Sequence, residues 1–118
     1  MNDLNSIIIE GNLTQEPEMK YTTNGTAMCS LSIAVNRYYK SGEETKRETA
    51  FLDVECWGRI AESCSQYLSK GRGIRIVGRL KQDRWEQDGY TRSKVIIVAE
   101  NVEFKPERQQ SKQEYAHA

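Results

Sequence analysis

The 118 residues suffice for one domain and leave little room for a second core, and their 37% hydrophobic and 29% charged side chains match a folded chain rather than a disordered or fibrous one. No apolar run approaches the roughly 18 residues of a membrane span, and the start, MNDLNS, lacks the basic and apolar regions of a signal peptide, so a cytoplasmic location is expected. The formal net charge is zero, yet residues 70–94 carry eight cations against three acids, while residues 1–69 sum to −4 and 95–118 to −1. That local excess fits a nucleic-acid surface and an ordinary solvated strand face equally well.

Residues 4–13 (LNSIIIEGNL) read as a strand, three consecutive isoleucines implying burial on both faces. Pro17 and the Asn24-Gly25 dipeptide punctuate a short connection. From Thr26 to Arg37 the pattern alternates, with Ala27, Cys29, Leu31, Ile33 and Val35 on one face. Residues 38–47 (YYKSGEETKR) are polar and read as a flexible hairpin loop. Glu48 to Trp57 is the next strand: Leu52, Val54 and Cys56 form its core parity, while Phe51, Asp53, Glu55 and Trp57 point the other way.

Gly58 breaks that strand. Residues 59–70 place Ile60, Cys64, Tyr67 and Leu68 on one side of a helix that Lys70-Gly71 would close. Residues 74–86 predict a long strand with Ile74, Ile76, Gly78 and Leu80 inward, and Arg75, Val77, Arg79, Lys81, Asp83 and Trp85 outward. After the Asp88-Gly89 turn, residues 91–104 return as the last strand, and from Lys105 onward a disordered tail is expected. Three strands, a helix and two more strands match an all-β class with one helix: the five-stranded Greek-key barrel called the OB-fold, with Gly78 suited to a barrel's bends.

Three cysteines without a close pair argue against a disulfide framework and read as small apolar filler. The lone histidine, His117, sits next to the end of the chain, so neither a zinc site nor a histidine catalyst can be assembled readily; no metal or cofactor is expected. The informative coincidence is different. Phe51, Trp57 and Trp85 share non-core parity with Arg79 and Lys81, and Tyr38 and Tyr39 open a loop holding Lys40, Lys46 and Arg47. Aromatic faces stack on any unpaired base and cations meet phosphates, a combination suited to single strands. Taken alone, Trp57 could equally pack against a neighbouring loop or subunit.

Along residues 5–104 the sequence resembles the bacterial and mitochondrial single-stranded DNA-binding proteins. The resemblance is carried by NSIIIEGNL (5–13), PEMKYTTNGTA (17–27), LSIAVNR (31–37), ETAFLDVECWGRIAESCSQYLSKG (48–71) and IRIVGRL (74–80), with Trp85, Asp88-Gly89 and Arg92 following. It implies an OB-fold over residues 1–104, non-catalytic and sequence-independent binding of single-stranded DNA in replication, recombination and repair, and assembly as a homotetramer. It also implies stacking at Tyr39, Phe51, Trp57 and Trp85. The contacts expected around these four are Arg37, Lys40, Lys46, Arg47, Arg72, Arg79, Lys81, Arg84 and Arg92.

Two departures qualify the likeness. Leu52 stands where many members have a histidine near a subunit contact. Family members commonly carry a long linker and an acidic tip that recruits replication and repair enzymes; here residues 105–118 hold Lys105, Arg108 and Lys112 against Glu107 and Glu114, so such recruitment is not expected. Rival readings are an enzyme, for which Asp53 and Glu55 are the best carboxylate pair but lack further partners, a protein-binding OB accessory, and an RNA-binding OB domain.

Overall fold

The computed structural model describes residues 1–106. The proposed tail, residues 105–118, therefore lies outside the described residues except for Lys105 and Pro106. Seven elements follow in order: β1 (Ile7–Leu13), β2 (Glu18–Tyr21), β3 (Ala27–Ser41), β4 (Glu44–Trp57), α1 (Gly58–Tyr67), β5 (Gly73–Gln87) and β6 (Tyr90–Phe104). The sheet order is β1-β5-β6-β4-β3-β2. It closes on itself where β1 returns to β3, Asn12 facing Ala34 and Leu13 facing Ile33. The result is the five-stranded OB barrel, with β2 attached outside as a short flap on the start of β3. The flap escaped the sequence reading because Glu18-Met19-Lys20-Tyr21 offers one apolar residue, Met19, to the core.

Burial in β3 alternates strictly from Ala27 to Ala34, as the sequence pattern requires, and Leu31, Ile33, Val54, Ile74, Ile76 and Ile97 fill the barrel. β1 departs from expectation. Its burial alternates, and Ile8 is 68% exposed, so the triple isoleucine marks one buried face rather than two. A strand with one open side buries every second residue.

Gly78 lies at the point where the β5–β6 register shifts, Val77 facing Asn101 but Gly78 facing Ala99. The unpaired Glu100 resets the parity of β6, so that Val102 and Ala99 both reach the core. A Cβ on Gly78 would stand 2.2 Å from the Val98 carbonyl oxygen, so only glycine permits the approach. Beyond it Leu80, placed inward by parity, is 45% exposed because β5 has passed the end of the enclosed core. The Asn5 side chain caps that stretch, donating to the Leu80 carbonyl at 2.8 Å and accepting its N–H at 2.9 Å.

The helix is shorter than its pattern suggests. It ends at Tyr67; Leu68 is already extended, its N–H bonded to the Cys64 carbonyl at 3.0 Å, and Lys70-Gly71 lie past the end. Ala61 and Cys64 are its buried positions, with Leu68 buried just after. Tyr67 instead lies exposed, its ring tilted against Phe104 at 6.4 Å. The three thiols are free and buried, Cys64 Sγ lying 3.9 Å from Cys56 Sγ, and desolvation pushes the Cys29 thiol up to about 11.

The largest revision concerns residues 38–47. They form no loose loop: β3 and β4 stay paired from Met28–Trp57 to Ser41–Glu44, joined by a two-residue turn in which Gly42 takes φ +67°. β5 and β6 likewise remain paired out to Gln87–Tyr90. Two ribbons therefore extend beyond the barrel.

Candidate nucleic-acid interface

On β4 the alternation that sends Val54 and Cys56 into the core leaves Phe51, Asp53, Glu55 and Trp57 on the outer face. Opposite them on β3 stand Ala34, Ser32, Ser30 and Met28, mostly small residues that leave the rings uncovered. The short parallel contact with β6 sets Glu55 beside Val98. From there the β5–β6 ladder carries the same face to Arg79, Lys81, Asp83 and Trp85, with Lys94 and Arg92 across from the last two. Val98 and Ile96 lie on this face and are nonetheless buried, an apolar floor beneath long polar side chains. Phe51 is 74% exposed, Trp57 37% and Trp85 43%. The three rings are thus brought to one continuous surface, as their parity predicts.

Much of the charge on this surface is paired. The Lys81 ammonium lies 3.5 Å from Glu55 and 3.4 Å from Asp83, and attraction to Glu55, foremost, raises its pKa. Lys94 bridges to Asp53, whose Oδ1 also accepts from Ser32 at 3.4 Å. Arg79 sits 3.8 Å from Glu100. The Trp57 indole N–H donates to Glu55 at 3.2 Å. Arg92 makes no ion pair among the described residues.

The remaining candidates divide by position. In the β3–β4 ribbon, Asn36–Thr49, Tyr38–Arg47 and Lys40–Thr45 continue the side of Phe51, while Arg37–Glu48 and Tyr39–Lys46 occupy the reverse. Tyr38, Lys40 and Arg47 therefore align with the aromatic face. Tyr39 does not: Arg37 lies 5.1 Å above its ring and pairs with Glu48 at 3.6 Å. Arg84 falls on the reverse of the β5–β6 ribbon, bonded to Gln82 at 3.0 Å. Arg72 precedes β5 at the other end of the barrel, where its Nε donates to the Lys105 carbonyl at 2.8 Å and its guanidinium lies 5.9 Å from the Phe104 ring centre.

Sequence reasoning named Tyr38 only as the neighbour of Tyr39, which it chose for stacking, and it missed Lys94 and the double role of Glu55. Carrying the strict alternation of β3 past Arg37 would have chosen Tyr38. A cavity of about 150 Å³ between α1 and β6, floored by Ile60, Val102 and Phe104, shares no residue with the aromatic face. Among the described residues no three His, Cys, Asp or Glu side chains gather as a metal site, and no helix is long and apolar enough to cross a membrane.

Residues 4–105 match the Single-strand binding protein family. The single-stranded DNA-binding protein of Treponema pallidum is 48% identical over 104 residues, covering 88% of this chain and 59% of that protein; the Aquifex aeolicus one is 41% identical over 100 residues, covering 84% and 68%. The chain thus spans about three fifths of the length of the Treponema relative. The crystal structure of wild-type single-stranded DNA binding protein from Thermus aquaticus superposes with a TM-score of 0.77 at 32% identity, over 90% of this chain and 52% of that one. A Plasmodium falciparum SSB in complex with ssDNA superposes at 0.82, covering 90% and 98%; at 22% identity that likeness concerns the fold.

Proposed function

Since the chain belongs to the single-strand binding protein family, we propose that it binds single-stranded DNA without reading its sequence and protects it during replication, recombination and repair. Bases stack on Phe51, Trp57 and Trp85, and Arg79, Arg92, Lys40 and Arg47 meet phosphates, while Lys81 lies on the same face in its ion pairs with Glu55 and Asp83. The observation that carries this reading is the set of three uncovered rings on one cation-lined face crossing β4, β6 and β5. Duplex bases are already stacked on each other, so such a surface selects unpaired strands. The names of the Treponema and Aquifex relatives support it. So does the state of Asp53 and Glu55: each is engaged by a lysine, which favours binding over acid–base catalysis.

Residues 1–104 act as the binding domain in this reading, in a cytoplasmic, nucleoid-associated protein that works as a homotetramer. Support for assembly comes from β1, which pairs with β5 along Ile7–Asn12 but meets β3 only at Asn12 and Leu13. One edge of the isoleucine run is open, with Ile8 exposed beside it, a surface suited to a second copy. Light scattering that returns a monomer at micromolar concentration refutes the assembly.

The decisive test is a titration with oligo-dT, with oligo-rU and duplex DNA as controls. Trp57→Ala and Trp85→Ala should each weaken dT binding by about 1–3 kcal/mol while the fold survives. Equal affinity of both variants and the parent overturns the stacking reading, and preference for rU moves the assignment to RNA.

A further inference from the structure

Glu55 differs from every other ion-paired carboxylate of the described residues. Its side chain is only 17% exposed, and a single oxygen, Oε1, serves two partners on different strands. The Trp57 indole N–H, two residues along on the same face of β4, donates to it at 3.2 Å. The Lys81 ammonium reaches it at 3.5 Å from β5, across the buried Val98 and Ile96 of β6. A half-exposed tryptophan at the end of a strand has several rotamers open to it, and this bond selects one. Lys81 is also held from its own strand, by Asp83 at 3.4 Å, so Glu55 is the partner that ties it across to β4. Among the described residues no other side chain on the face holds an aromatic ring and a cation together.

We propose that Glu55 is a positioning residue of the binding face: it fixes the plane of the Trp57 indole and, together with Asp83, withholds the Lys81 ammonium from phosphate, setting how many ionic contacts a bound strand makes. The inference rests on the single-strand-binding reading above. A strand arriving on the face finds Trp57 already oriented, which spares the entropy of ordering it. The same strand must displace a carboxylate to reach Lys81, so that contact is discounted. Affinity is thereby tempered without loss of the stacking platform, and the tempering depends on salt.

Two substitutions separate the functions. Because Asp83 also holds Lys81, at 3.4 Å, the parent and both variants carry Asp83→Asn; in Glu55→Gln the amide oxygen then still accepts the indole N–H, but no carboxylate holds Lys81. Glu55→Ala removes both. Each is compared with the parent on oligo-dT, in a Trp85→Phe background so that Trp57 alone fluoresces. Glu55→Gln should steepen the salt dependence of binding by about 0.7, the slope of one phosphate contact, which is about fivefold tighter binding at 0.1 M salt and parity near 1 M. In a Lys81→Gln background that gain should vanish. Fluorescence anisotropy of Trp57 in free protein should stay at the parent value in Glu55→Gln and fall in Glu55→Ala.

An unchanged slope in Glu55→Gln, or a gain that survives Lys81→Gln, overturns the withholding role. Equal anisotropy in all three proteins overturns the positioning role. A parent that fails to bind oligo-dT at all brings down the functional reading instead, an outcome visible before any Glu55 variant is made.

Discussion

β3 behaves as two different structures joined end to end. From Ala27 to Ala34 every second side chain is buried; from Asn36 to Ser41 all are exposed, although the pairing with β4 continues unbroken. β5 repeats the change on the far side of Gly78, where it runs out with β6 into the second ribbon. The barrel half is held by packing and the ribbon half by its hydrogen-bond ladder and exposed side-chain pairs such as Arg37–Glu48. An isolated two-stranded ribbon is marginal in water, and these two persist because their register is inherited from the barrel strands they prolong. Sequence in the barrel is therefore dictated by shape and volume, whereas in the ribbons it is free to answer to a ligand.

This division can be broken most severely at Gly78. Gly78→Val drives a side chain into the Val98 carbonyl and should cost about 3 kcal/mol of stability or prevent folding. Gly42→Ala, strained only by its positive φ in a ribbon turn, should cost about 1 kcal/mol. Urea denaturation of both measures the contrast; equal losses would mean that the ribbons are as much part of the cooperative core as the barrel.

The converse test removes charge from a ribbon. Replacing Lys40 and Arg47 together by Gln should leave the melting temperature within a degree or two and flatten the salt dependence of oligo-dT binding by up to about 1.4, at roughly 0.7 per phosphate contact. A large fall in melting temperature would contradict the packing argument.

A finer distinction lies between neighbours. The ladder puts Tyr38 on the side of Phe51, whereas alignment with the family favours Tyr39. Tyr38→Ala should weaken dT binding by about 1–3 kcal/mol and Tyr39→Ala by less than half as much. The reverse order would show that the ribbon twists its other side toward the strand.

The smallest effect belongs to the barrel. Hydrogen bonding from Arg75, foremost, with help from the charge of Lys105, holds the Glu10 carboxyl below its usual range. A lowered folded-state pKa gives stability that is present above the unfolded value near 4.5 and lost as pH falls through the folded one. The melting-temperature gap between the parent and Glu10→Gln should therefore be constant from pH 7 to 6 and close on acidification below pH 4.5. A gap that persists at pH 2.5 would point to packing rather than charge.

How much of this was legible in sequence follows the same division. The core parities of Ala27–Val35 and Leu52–Cys56, the bend at Gly78 and the shared face of Phe51, Trp57 and Trp85 were all readable, because burial imposes a period of two. The ribbons were not, since a polar stretch such as YYKSGEETKR has no hydrophobic period to betray a strand. Arg72 and Arg84 were grouped with the binding cations by charge alone. Position relative to the barrel end sets Arg72 apart, and parity sets Arg84 apart; neither is visible in a count. Ala61 escaped because alanine is a weak hydrophobic signal, and Tyr67 was drawn inward by its spacing.

The parallel contact between β4 and β6 has a kinetic meaning. The two ribbons join neighbours in the chain, and hairpins of that kind close in about 1–10 μs. The seam that joins the two hairpins consists of Val54 facing Ile97 and Glu55 facing Val98, and it unites strands separated in sequence by the helix and all of β5. Its loop-closure entropy must be met before its few bonds give any return. The two hairpins can thus be complete before this seam forms, and only its formation brings Glu55 within reach of Lys81.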